Sequence, residues 1–199
     1  MNRPYHMQMD DIIASLAGRP RLLLHSCCGP CSTAVLEQLC RHFDVTLHYC
    51  NPNIQPREEY MLRLRTQRDV ADRLGVPLVA EPYDDSEFLS AVRGLEGEPE
   101  GGARCIECFR LRLERTASAA AEGGYDFFTT TLTVSPHKNA ALINELGAEI
   151  AARHAVRFLP SDFKKREGYK RSIELSREYG LYRQQYCGCL FSKAESERQ

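Results

Sequence analysis

LLLHSCCGPCSTAVLEQL, residues 22–39, decides the fold. Residues 21–26, with the apolar run Leu22-Leu23-Leu24, read as a strand, and a helix is predicted over about 32–41, capped by Ser32 or Thr33. A tight turn at Gly29-Pro30 joins them. Strand, turn and helix in that order normally hold a phosphate, because the first N–H groups of the helix point at whatever sits at the turn. Here three residues of the turn are thiols: Cys27, Cys28 and Cys31.

The alternation continues outward. A second strand is predicted over 45–49, and the Asn-Pro and Gln-Pro steps make 50–60 a loop. Met61, Leu64, Ala71 and Leu74 recur at helical spacing until Gly75, and a third strand covers 76–80. Residues 81–104, acidic and Gly-rich, read as a long loop with a short helix at 88–92. The stripe Ile106, Phe109, Leu113, Ala117, Ala120 marks a helix from Cys105 that Gly123-Gly124 stops. A fourth strand is predicted over 126–132. SPHKN (135–139) opens a helix through Leu142, Leu146 and Ile150, and a fifth strand covers 156–159. A last helix, 168–179, leads to YCGCLFS at 186–192. This order predicts an α/β fold, a Rossmann-like three-layer sandwich with a mainly parallel sheet, whose sites lie beyond the carboxyl ends of the strands. Cys27, Cys28, Cys50 and the 133–138 loop all fall there.

With 199 residues the chain suits one domain, 1–199, carrying a cysteine-rich metal site at the strand ends. No apolar run approaches the ~20 residues of a membrane span, and the N-terminus shows no secretory signal, so the expected location is cytoplasmic with no membrane partner. The formal charge is -1, yet arginines crowd into 57–73, 104–115 and 164–183. Such stretches are either solvated helix faces or a nucleic-acid surface. Nine cysteines in a cytosolic chain point to metal or redox chemistry rather than to a disulfide framework.

The thiols form three groups: Cys27/Cys28/Cys31, Cys105-x-x-Cys108 and Cys187-x-Cys189. Cys105 and Cys108 share one face at a helix start, where the helix dipole is expected to lower their pKa and prepare them for metal. Joined to the pair at the first strand end, they offer four thiolates, which suit zinc or an iron-sulfur cluster. Adjacent cysteines make poor ligands to a single zinc, and zinc leaves Cys187 and Cys189 unexplained. Those two can close a disulfide only in a small, strained ring around Gly188, which suits electron relay; a further metal ligand there is the open alternative. Cys40 and Cys50 read as ordinary buried thiols.

Five blocks, LLLHSCCGPCS, YCNPNIQPREEYMLR, RCIECFRLRL, TTLTVSPHKN and YCGCLFS, spread over residues 22–192, together resemble the QueH family of epoxyqueuosine reductases. The resemblance implies a fold similar to the adenine nucleotide α-hydrolase group. It also implies a 4Fe-4S cluster held by Cys27, Cys28, Cys105 and Cys108, and a redox-active pair, Cys187 and Cys189. The implied reaction is two-electron reductive removal of the epoxide oxygen of epoxyqueuosine at the tRNA wobble position, giving queuosine. ATP-using members of that fold group carry a glycine-rich pyrophosphate loop after the first strand, and SCCGPCS looks like that loop with thiols where glycines stood, so nucleotide binding is exchanged for metal binding. Some relatives carry an aspartate where this chain has Cys31. An additional iron ion beside the cluster is implied there, making Cys31 a further candidate metal ligand and catalytic residue, with thiolate in place of carboxylate.

Removing an epoxide oxygen to leave an alkene takes two electrons and two protons. A Lewis-acidic iron would weaken the C–O bond, and the cluster would pass electrons singly. No dinucleotide fingerprint is present, so an external electron donor is expected. His25, His137, Tyr60 and Tyr186 are candidate proton donors. Arg57, Arg63, Arg65, Arg68, Lys164, Lys165 and Arg166 are candidate phosphate contacts for the tRNA partner. The competing classes are an ATP-dependent tRNA-modifying enzyme of the pyrophosphate-loop type and a zinc-stabilised RNA-binding module.

Overall fold

A computed structural model describes residues 3–198. Five parallel strands, β1 (Arg21–His25), β2 (Asp44–Tyr49), β3 (Leu78–Ala80), β4 (Phe127–Thr130) and β5 (Arg157–Phe158), form one sheet in the order β3-β2-β1-β4-β5. The strands are parallel because every connection carries at least one helix back across the sheet. The helices are α1 (Tyr5–Ala14), α2 (Gly29–Leu39), α3 (Arg57–Leu74), α4 (Ser86–Ala91), α5 (Ala103–Glu122), α6 (Ala140–Ala151), α7 (Gly168–Glu178) and α8 (Leu190–Ser196).

β1 is buried on both faces, which is why its sequence is a continuous apolar run rather than an alternation. Leu22 and Leu24 pack with Val35, Leu36 and Leu39 of α2, Val70 of α3 and Met9 of α1. Leu23 points the other way, joining Phe128 to Phe109 and Leu113 of α5 and Ile143 and Leu146 of α6. Each such fully buried side chain is worth about 1.5–3 kcal/mol of transfer free energy. The three-layer α/β architecture expected from the alternation is therefore present. α1 and α8 were not expected, although Met9, Ile12 and Ile13 of α1 pack at helical spacing against the first core. Among the described residues no helix is long and apolar enough to cross a membrane.

Three local expectations change. α2 starts at Gly29 with extended Cys28 as its N-cap residue, so Gly29-Pro30 is the first helical turn, and the expected caps Ser32 and Thr33 lie inside the helix. Pro suits that turn, where its missing N–H has no helical acceptor to lose. The fourth strand stops at Thr130, and residues Thr131–Val134 wind into a 3-10 turn whose Leu132 N–H donates to Thr130 Oγ1 at 3.1 Å. SPHKN is a loop, and α6 begins after Asn139, whose Oδ1 accepts the Leu142 N–H at 3.2 Å.

The chain runs outward from β1 through β2 to β3 and then returns to place β4 on the other side of β1. The switch point therefore lies between β1 and β4, where a crevice opens at the carboxyl ends. Gly29 fixes how closely α2 approaches α3. A Cβ there would lie 2.9 Å from both Thr66 Cγ2 and the Thr66 carbonyl oxygen, so α2 meets α3 at a distance only glycine permits. Gly29→Ala is expected to cost about 1–3 kcal/mol, the usual penalty of overpacking, and to lower the denaturant midpoint with an unchanged slope. A midpoint equal to wild type would show that the helix can move away freely.

Candidate metal centre

The segment after β1 places three thiols together. The sulfurs of Cys27, Cys28 and Cys31 lie within 4.8 Å of one another, with Cys28 buried and the other two partly so. Cys27 is tied to the neighbouring strand end: its N–H donates to Thr131 Oγ1 at 3.2 Å, and the Thr131 hydroxyl lies 3.4 Å from its sulfur. Gln184 Nε2 donates to Cys28 Sγ at 3.1 Å. The ends of β1 and β4 are also cross-linked by His25, whose Nδ1 is 2.8 Å from Thr130 Oγ1 and whose Nε2 is 3.1 Å from the Cys50 carbonyl oxygen.

The triad is electrostatically asymmetric. Hydrogen bonds from the Cys28 and Cys31 thiols hold the Cys27 thiol well below its ordinary pKa, with Lys138 and Arg112 adding to the effect. The same contacts push Cys28 up to about 12 and Cys31 upward. A backbone N–H of Cys31 in the first turn of α2 also stabilises the Cys28 thiolate, so sulfur occupies the place at a helix N-terminus that an oxyanion takes elsewhere.

Cys105 and Cys108 sit in the first two turns of α5 and do not join this close-packed set. Burial raises the Cys105 thiol, against a hydrogen bond from the Gly101 N–H at 3.2 Å, and pushes Cys108 up to about 12. Both thiols therefore lie above the ordinary range rather than below it as expected from the helix dipole, because burial disfavours a thiolate. Cys108 shares an apolar cluster with Phe88, Val92 and Cys189, while Cys27 and Cys105 pack on the α5–α6 core.

The C-terminal Cys187-Gly188-Cys189 segment is fastened over the strand ends. Buried Arg63 donates to the Cys187 carbonyl at 2.9 Å and to the Tyr186 carbonyl at 3.2 Å, and its Nε donates to Glu59 at 2.6 Å. The Gln55 N–H donates to the Gly188 carbonyl at 2.9 Å. Gly188 has φ 145°, and a Cβ there would meet Ile54 at 3.0 Å and Asn53 at 3.1 Å. The position takes glycine both for its backbone and for the close approach. Cys189 caps α8, its sulfur accepting the Ser192 N–H at 3.4 Å.

These groups surround a cavity of about 580 Å³ lined by Cys27, Cys31, Cys187, Arg112, Lys138 and His137, among others. Arg112 and Lys138 are the cations the sequence reading missed. Burial works against both charges, while ionised sulfur works for them and raises both pKa values, from Cys108, Cys27 and Cys187 at Arg112 and from Cys187, Cys27 and Cys31 at Lys138. Clustered soft donors with buried cations beside them fit a thiolate-held metal centre, whose net charge is negative. A larger groove, about 960 Å³, opens at the amino ends of the strands between α1 and α6, and none of its lining residues is a cysteine or histidine.

His25 is fully buried, both its nitrogens are engaged, and burial followed by Arg112 keeps it neutral. The Tyr60 hydroxyl donates to the Glu81 carbonyl at 2.5 Å inside an aromatic cluster. His137 and Tyr186 line the cavity. Cys40 ends α2, and Cys50 is buried, its thiol pushed up to about 12 by desolvation. Arg63 cannot meet a phosphate, being 2% exposed and clamped to the C-terminal segment. Arg166 is held by Asp10 at 2.6 Å. Arg57, Arg65, Arg68 and Lys165 are exposed.

Residues 22–195 match the family model described as epoxyqueuosine reductase QueH. The epoxyqueuosine reductase QueH of Staphylococcus epidermidis is 47% identical over 182 residues, 87% of this chain and 76% of that protein. That of Streptococcus pyogenes is 44% identical over 191 residues, 93% of this chain and 75% of that protein. Among solved structures, the U34-tRNA thiolase NcsA from Methanococcus maripaludis with its 4Fe-4S cluster aligns at a TM-score of 0.59 and 12% identity, covering 98% of this chain and 70% of that one. At that identity the likeness shows a shared fold.

Proposed function

The chain belongs to the QueH family of epoxyqueuosine reductases, and from that membership we propose that the thiol-lined cavity is where the epoxide of epoxyqueuosine, at the wobble position of a tRNA, is reduced. The reaction removes the epoxide oxygen with two electrons and two protons, leaving the alkene of queuosine and releasing water. The observation that carries the assignment is the convergence of Cys27, Cys31 and Cys187 with Arg112 and Lys138 on one cavity at the sheet's switch point. Its volume suits a nucleoside-sized group, and an extruded base would enter from the strand ends.

Cys27, Cys28, Cys105 and Cys108 are assigned as ligands of a 4Fe-4S cluster within a single α/β domain. When bound, that cluster supplies electrons one at a time. Cys31, inside the close-packed triad, is a candidate ligand for an additional metal ion. Lys138 and His137 line the cavity, and His137 is assigned to deliver protons to the departing oxygen. Cys187 and Cys189 are assigned as a relay: two thiols become a disulfide, releasing two electrons and two protons, and an external dithiol restores them. A second reading, metal ligation by this segment, draws on the apolar cluster that Cys189 shares with Cys108.

Phosphate contacts are assigned to exposed Arg57, Arg65, Arg68 and Lys165. The salt dependence of tRNA binding tests this. Arg65→Glu with Arg68→Glu is expected to weaken affinity and reduce the slope of log affinity against log salt by about 1 per lost contact, leaving the cluster spectrum unchanged. An unchanged slope removes this helix face from the interface. The reaction assignment itself is tested by anaerobic turnover of tRNA carrying epoxyqueuosine, with queuosine as the product read by mass spectrometry; absence of queuosine with a reduced, metal-loaded enzyme contradicts it.

A further inference from the structure

Three arginines rank among the largest fully buried side chains: Arg63, Arg104 and Arg112. Arg63 has Glu59 at 2.6 Å and Arg104 has Glu195 at 3.0 Å. Among the described residues, Arg112 has no such carboxylate. Its Nη2 donates to the neutral Asn51 Oδ1 at 2.8 Å, its Nη1 points at Cys108 Sγ at 3.8 Å, and its Nε lies 3.4 Å from neutral His25. Asn51 is itself fixed, donating to the Ser26 carbonyl at 2.8 Å, so the guanidinium is anchored to the end of β1. A buried cation without an anion is costly, and arginine cannot escape by losing its proton. The anion must therefore come from the sulfur side.

We propose that Arg112 is the built-in counter-cation of the metal centre and sets its reduction potential. The proposal rests on the cluster assignment made above. One-electron reduction adds a negative charge to the centre, and a fixed cation hydrogen-bonded to a ligand sulfur favours the more negative state. Asn51 holds that cation in place in both redox states. Arg112 is thus a positioning residue, acting on the centre through Cys108.

The test compares the holoprotein with Arg112→Met, Arg112→Gln and Arg112→Lys. Iron and acid-labile sulfide are assayed first, and the midpoint potential is then measured by mediated redox titration followed in the visible spectrum. The neutral variants are expected to shift the reduction equilibrium at least tenfold toward the oxidised state, ~59 mV per tenfold for one electron. Arg112→Lys, which keeps the charge, is expected to stay within about threefold of wild type, or ~28 mV on the same scale. Arg112→Gln, which retains a donor for Asn51, decides the matter if Arg112→Met does not fold. Neutral variants with a full complement of iron and sulfide and the wild-type potential overturn the proposal and leave the cluster assignment standing. So does a lysine variant that shifts as far as methionine, which would make the effect one of packing. Wild-type protein without iron and sulfide fails the cluster assignment instead, and the proposal with it.

Discussion

Cys105→Ala protein, purified without oxygen, is expected to lose most of its iron and sulfide and to turn over more than about 100-fold more slowly than wild type. Replacing partners outside the ligand shell of a metal already costs about 10–100-fold, and a ligand itself costs more. Cys105 is an informative choice among the four assigned ligands, because like Cys108 it lies outside the close-packed Cys27/Cys28/Cys31 set. If that triad alone held the metal, Cys105→Ala would retain it. The Gly101 N–H that meets the Cys105 sulfur can turn to solvent in the variant, so the fold should survive. Circular dichroism and the denaturant midpoint check this. A full complement of iron and sulfide with the wild-type rate would show that the two cysteine pairs do not share one cluster.

Cys189→Ser is expected to leave the cluster spectrum intact, to complete one turnover, and to slow repeated turnover by about 100-fold or more. The substitution is gentle on structure: Cys189 accepts the Ser192 N–H as the cap of α8, and a serine hydroxyl is a stronger cap than a thiol. Loss of activity would therefore report on sulfur chemistry rather than on an unravelled terminus. Counting free thiols by mass spectrometry before and after a single turnover should show two fewer in wild type. Both thiols remaining reduced, together with repeated turnover by the serine variant, would exclude the relay. Lost iron at constant sulfide would assign the segment to a metal instead.

The sheet was legible because its central strand is an uninterrupted apolar run and its helices carry clean apolar stripes, as in Phe109, Leu113, Ala117 and Ala120 of α5. The strand-to-helix junction was legible in place but not in detail. Ser32 and Thr33 are good capping residues, but Pro30 fits a first helical turn, so α2 begins three residues before Ser32, at Gly29. α1 was hard to read because it is short and its apolar stripe is brief, with Met9 alone buried and Ile12 and Ile13 only partly so. The cysteine groups were visible by spacing alone. Their charge environment was not, because Arg112 and Lys138 come from α5 and from the loop before α6, and only the packing brings them beside Cys27. Arg63 shows the reverse: within an arginine-rich helix it looks like a surface residue, yet its position on the inner face of α3 buries it against the C-terminal segment.

The central claim, that thiolates from α5 and from the end of β1 hold one iron-sulfur cluster, is tested most directly by metal and sulfide analysis of wild-type protein purified anaerobically, with its visible and electron paramagnetic resonance spectra. About four iron and about four acid-labile sulfide per chain, in brown protein that bleaches on reduction, is the predicted result. Colourless protein carrying about one zinc and no sulfide would contradict it.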